Sequence, residues 1–333
     1  MERLTRRRVL TLLGGVGAAG VLEGCNTSIT VNIGSNPTPT ARSEAPPTTV
    51  QPAKPLPVIQ VTPTAIRVIS PEAKHDNAAF DFGDDVPENQ KQEIRDAVNI
   101  GTNWYSSHGI NIENISVFAY GNAQEAVNTH LRRSPGAGVP QNISLVTAFV
   151  GAKDDFYIIT TSDGWTKAPP IIGGTVPEGR YYTIVHELFN VWQRKIGAYD
   201  HGPVVAWMNA GIAHYLPAIF LKEKNMYSYK EIRNGHLKEA ARVSEKLSSL
   251  ETYAAFHDAG NKQTADEYSL AFIGVEYLVR GLPNSGINAA TDYWKRISQR
   301  QPHPMAFKAA FGKTPEEFYK EFEIYRMSLK SAA

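Results

Sequence analysis

Residues 181–193 read Tyr181-Tyr-Thr-Ile-Val-His186-Glu187-Leu-Phe-Asn190-Val-Trp-Gln193, and residues 207–215 read Trp207-Met-Asn209-Ala210-Gly211-Ile-Ala213-His214-Tyr215. Both stretches read as helix. Positions i and i+4 of a helix share one face. His186 therefore shares a face with Asn190, and Ala210 with His214. In the pattern His-Glu-x-x-His, two imidazoles at that spacing reach one metal ion, and the Glu between them acts as general base on the metal-bound water. Here the first His and the Glu are present, and the second His position holds Asn190.

Working outward, residues 181–196, 203–221, 228–248, 264–280, 288–299, 304–311 and 315–330 all have helical patterns. Thr314-Pro315-Glu316-Glu317 is a local helix start, with an N-cap Thr, a following Pro and acids in the first turn. Upstream, residues 87–107 read as a helix with Ile94, Val98, Ile100 and Trp104 on or near one face, and 122–133 as a short helix. Ile115–Tyr120, Ser144–Val150 and Phe156–Thr161 read as strands, and the glycines and prolines of 164–179 as a loop. A small strand-rich part followed by an all-helical part is an α+β arrangement.

Three blocks carry a family resemblance. Trp207, Asn209, Gly211, Ala213 and Tyr215, with Met208 as a near match, resemble the W-L-N-E-G-x-A-x-Y block of gluzincin zinc metallopeptidases similar to aminopeptidase N (the peptidase MA-like fold). Tyr268 to Leu278 resembles the helix that carries the transition-state tyrosine of that family. Met305–Gly312 and Thr314–Phe318 resemble its closing helices. The resemblance spans about 180–328 and implies a gluzincin-like subdomain behind the strand-rich one.

It also implies roles. His186 is the retained zinc ligand, Glu187 the general base and Tyr268 the oxyanion-stabilising phenol. Asn190 and Ala210 stand where the other two zinc ligands belong. Zinc sites draw on His, Cys, Asp and Glu, whereas an Asn amide oxygen is a neutral, hard donor better suited to calcium. Ala210 offers no donor. His214, one turn beyond Ala210, is a candidate substitute ligand, with His201 and Asp200 in the loop between the helices as others. The expectation is a domain that has lost zinc hydrolysis and binds a peptide or protein ligand without a cofactor. The alternative is an active zinc metallopeptidase with an atypical ligand set.

The start of the chain reads as an address. Residues 1–25 combine Arg3, Arg6, Arg7 and Arg8, an apolar stretch and small residues, the pattern of a bacterial export signal. Thr5–Leu10 resembles a twin-arginine motif. Leu22-Glu23-Gly24-Cys25 resembles a lipobox that would lipidate Cys25; Glu23 departs from it. Residues 26–74 form a Pro/Thr-rich linker, extended because proline fixes φ and lacks an N–H. The folded domain is then 75–333. The expected location is the outer face of the bacterial membrane, reached through acyl chains.

Composition sets the outer bounds. The chain has 333 residues, 34 Lys+Arg against 33 Asp+Glu, and 42% apolar residues. A net charge of +1 gives no basis for nucleic-acid binding. The single cysteine excludes an intramolecular disulfide and a cysteine-based metal site. The long apolar run at 9–22 is shorter than the roughly 20 residues a spanning helix needs. The Trp and Tyr residues lie mostly on helical or strand patterns and read as core rather than as a carbohydrate or peptide groove.

Overall fold

The computed structural model describes residues 78–135, 148–151, 155–167, 174–199, 204–256 and 265–332. The export signal, Cys25, the linker, Asp200 and His201 lie outside the described residues. Among the described residues no helix is long and apolar enough to cross a membrane.

The chain is a mixed α+β structure. Strands β1 (Ala78–Phe82), β2 (Ile115–Tyr120), β3 (Ala148–Val150) and β4 (Asp155–Ile159) form one sheet in the order β1-β2-β4-β3. β1, β2 and β4 run parallel; β3 is antiparallel to β4. Helix α1 (Glu88–Ser107) joins β1 to β2, and α2 (Ala123–Arg133) follows β2. A parallel pair needs such a crossover.

The strand β1 was not anticipated from sequence. It is a five-residue edge strand of alternating exposure, and its Ala-Ala-Phe-Asp-Phe carries little β-branched signal. The expected strand 144–150 is seen as Ala148–Val150, with 144–147 outside the described residues. The expected strand 156–161 runs instead from Asp155 to Ile159.

The stretch 164–179, read as a loop, contains the short helix α3 (Asp163–Thr166) and the first turn of α4 (Val176–Lys195). Pro177 is tolerated there because the first turn has no intrahelical use for its N–H. The Glu178 carboxylate accepts from the Thr175 backbone N–H, as in a capping box. Helix α5 (Ala206–Glu223) follows, then α6 (Tyr229–Ala240). α6 stops eight residues before the expected end. The Arg326 guanidinium takes the Val243 carbonyl at 2.9 Å, and residues 247–250 form a single 3-10 turn. Then come α7 (Tyr253–Phe256), α8 (Ala265–Leu278), α9 (Ile287–Ser298), α10 (His303–Phe311) and α11 (Pro315–Ala332).

α5 is the axis of the helical part. Residues 206–221 are buried without exception, the mark of a helix enclosed on every side. α4 and α8 pack on it, and α6 packs on α8. The crossing with α8 is close because of Gly211. A Cβ there would stand 2.5 Å from the Ala271 carbonyl oxygen, so no side chain fits. Trp207 stacks on Phe318 at 5.5 Å, and its indole N–H donates to Tyr319 at 2.9 Å. Tyr215 donates to the Ser285 carbonyl at 3.1 Å. Trp207, Gly211 and Tyr215 of the 207–215 block are thus explained by packing and anchoring.

Candidate functional site

Helix α4 presents His186, Glu187 and Asn190, and α5 presents Ala210 and His214; all five are buried. The helices meet at the two histidines. The rings of His186 and His214 lie 4.6 Å apart, edge to face. Tyr268 on α8 stands beside His214, ring centroids 5.3 Å apart. The fold therefore brings His186, His214 and Tyr268, from three helices, together.

Glu187 is 1% exposed. Its Oε2 accepts from Asn190 Nδ2 at 2.9 Å, one turn along the same helix. The Asn190 amide is thus turned onto the carboxylate that the sequence reading expects to act as base. Burial pushes the Glu187 carboxyl up to about 8, against lesser opposing effects of Asn190 and Arg194. Desolvation disfavours the ionised form, so the acid form predominates at neutral pH.

The histidines are neutral for the mirror reason. Burial brings His214 down to about 4 and holds His186 well below the usual histidine range, with His214 adding to the latter. Their tautomers follow from their partners. His186 bonds the Ala213 carbonyl, which only a ring N–H can satisfy. Its Nε2 has no partner, so Nδ1 carries the hydrogen. The Tyr182 hydroxyl lies 2.8 Å from the His214 carbonyl and 3.0 Å from its Nδ1. A phenol has one hydrogen. If it goes to the carbonyl, His214 Nδ1 must donate to the phenol oxygen. His214 Nε2 is then a bare lone pair, and it too lacks a partner.

A third imidazole, which sequence reasoning missed, extends the row. His236 on α6 lies 6.3 Å from the His214 ring and is 1% exposed. Its Nδ1 meets Ser269 Oγ at 3.0 Å, its ring stacks on Phe272 at 3.9 Å, and its Nε2 is again without a partner. Burial, with His214 next, holds its pKa well down. Nothing in the sequence flags it, because its place beside His214 comes from how α6 packs on α8 and α5.

The family's zinc does not fit the residues that stand at its three ligand positions. His186 supplies an imidazole, Asn190 offers only a neutral amide oxygen, which is not among zinc's usual donors, and Ala210 has no donor atom. More broadly, no group of three His, Cys, Asp or Glu side chains among the described residues could hold a metal ion. Comparison of the chain with family models, curated proteins and solved structures returns no match.

Proposed function

We propose that this chain is a lipid-tethered, extracytoplasmic protein with a gluzincin-like domain that has given up zinc hydrolysis and binds a peptide or protein ligand. The observation that carries the reading is the Asn190–Glu187 bond. A general base in this chemistry must face a metal-bound water. Here Asn190 donates its amide N–H to that carboxylate, and the carboxyl is held largely protonated, so it is a poor base. Export and anchoring are supported by the Arg-rich start and by the place of Cys25 at the end of the apolar stretch.

The test is zinc content and peptidase activity of the purified chain. The expected result is well under one zinc per chain and no cleavage of generic peptides. Asn190→His combined with Ala210→Glu should raise zinc occupancy, because the two helices already pack side by side. Stoichiometric zinc in the unaltered chain, with a peptidase activity that Glu187→Gln abolishes, overturns the reading. Membrane attachment is checked separately: Cys25→Ala should release the protein from the membrane fraction.

A further inference from the structure

We propose that the open edge of β1 is a docking strand for an extended peptide that carries a basic side chain between two apolar ones. The inference rests on the reading of this chain as a peptide binder. It seats the peptide at the sheet edge opposite β3, one of the strands on which α4 packs.

The main chain of β1 points the way. The Gly83 N–H donates to the Ala119 carbonyl of β2 at 2.9 Å. In a parallel ladder the main-chain groups of alternate residues face the same neighbour, so Ala79, Asp81 and Gly83 face β2. Phe80 and Phe82 then turn their N–H and C=O groups away from the sheet. β1 is its last strand on that side, and among the described residues nothing takes those groups. Open edges are ordinarily blunted by lysine, proline or a bulge. β1 has none of these, and its register to β2 runs unbroken from Ala78 to Phe82.

The side chains define the occupant. Phe80 and Phe82 are half-buried and stacked at 5.8 Å, and Arg95 of α1 lies over the Phe82 ring at 4.7 Å. Ala79 and Asp81 are exposed on the other face. Among the described residues the Asp81 carboxylate accepts only from the Tyr120 hydroxyl, at 3.5 Å. Residues 78–90 hold four acids and no base, and Asp84 and Asp85 beyond the strand are exposed as well. An antiparallel strand laid on this edge exchanges both main-chain hydrogen bonds with Phe80 and with Phe82. Directly opposite residues share a face. The peptide residues opposite the two phenylalanines are therefore apolar, and the one between them, opposite Asp81, is Lys or Arg. Strand addition of this kind draws affinity from the main chain and selectivity from alternate side chains.

The experiment uses the purified full chain and two capped peptides, Ser-Thr-Val-Lys-Val-Thr-Ser and the same with Glu in place of Lys. Amide hydrogen exchange is followed at Phe80 and Phe82, with the Gly83 amide, already bonded to Ala119, as internal reference. At saturation the Lys peptide should slow exchange at Phe80 and Phe82 by about tenfold or more and leave Gly83 unchanged. It should bind about three- to tenfold more tightly than the Glu peptide. Asp81→Asn should level that preference and Asp81→Lys should reverse it. Slow exchange at Phe80 and Phe82 in the free chain means that the edge is already covered. Slowing that grows with chain concentration makes a second copy the occupant. Either result overturns the proposal, as does an absence of slowing with both peptides or a preference that Asp81→Lys leaves as it was. None of these outcomes alters zinc content or peptide cleavage, so the functional reading stands or falls by its own test.

Discussion

Two buried polar clusters in this molecule are built on opposite terms. At the start of β4, Asp155 takes both Nε and Nη2 of Arg133, at 2.6 and 3.1 Å, and faces the Tyr157 hydroxyl at 3.3 Å. Arg133 in turn lies 4.6 Å over the Phe118 ring. That carboxylate is bonded through both oxygens, in the bidentate geometry that makes such pairs strong. In the row of His186, His214 and His236, each ring is bonded through Nδ1 and bare at Nε2. The first cluster is explained by what it touches. The second leaves its three Nε2 atoms without a hydrogen-bond partner within the fold.

The widest gap between the clusters should open in acid. The three histidines are held neutral in the fold, below their unfolded value of about 6.5. As pH falls through 6.5 the unfolded chain takes up protons that the folded chain refuses. Stability then drops by about 1.4 kcal/mol per pH unit for each group. For His214, whose folded value is about 4, the loss is complete near that pH. Glu187 works in the other direction. Its folded value of about 8 exceeds its unfolded value of 4.5, so its contribution to stability declines as pH rises between them. These four groups together place the stability maximum near pH 6.5. Denaturant melts between pH 4 and 8 check this, and a flat profile from 6.5 down to 4.5 refutes it.

Smaller effects separate the clusters one residue at a time. Arg133→Ala strands a buried carboxylate and should cost about 2–3 kcal/mol, below the full value for a buried pair because Arg133 is 41% exposed. His214→Leu should cost nothing or stabilise the chain by up to about 1 kcal/mol. It removes an orphaned acceptor, and Tyr182 keeps the main-chain carbonyl of residue 214 as its acceptor. Denaturant melts of both variants decide the matter. A clear loss of stability in His214→Leu would make the row an ordinary piece of core.

The site was only partly legible from sequence. His186, Glu187, Asn190, Ala210, His214 and Tyr268 were visible because helical spacing and two adjacent motif helices announce themselves locally. His236 was not, since its place depends on how α6 lies against α8. The use made of Asn190 was also hidden: its spacing suggested a weak donor to a metal, whereas the side chain donates to Glu187. The element errors have the same origin. α6 ends at Ala240, and beyond that end Arg326, more than eighty residues on, takes the Val243 carbonyl, a partner that local sequence does not announce. β1 escaped notice because a short edge strand depends on its neighbour more than on its own residues.

If the chain is exported as proposed above, the burial of α5 bears on the route it takes. From Ala206 to Leu221 the chain has no charged residue, and every one of those positions is enclosed in the folded state. A secretion channel that threads the polypeptide in extended form would present this greasy segment directly to lipid. A pore that passes the finished fold would never reveal it. The twin arginines proposed as the address at residues 6 and 7 belong to the second kind of traffic. Core and signal would then answer the same transport problem from opposite ends of the chain.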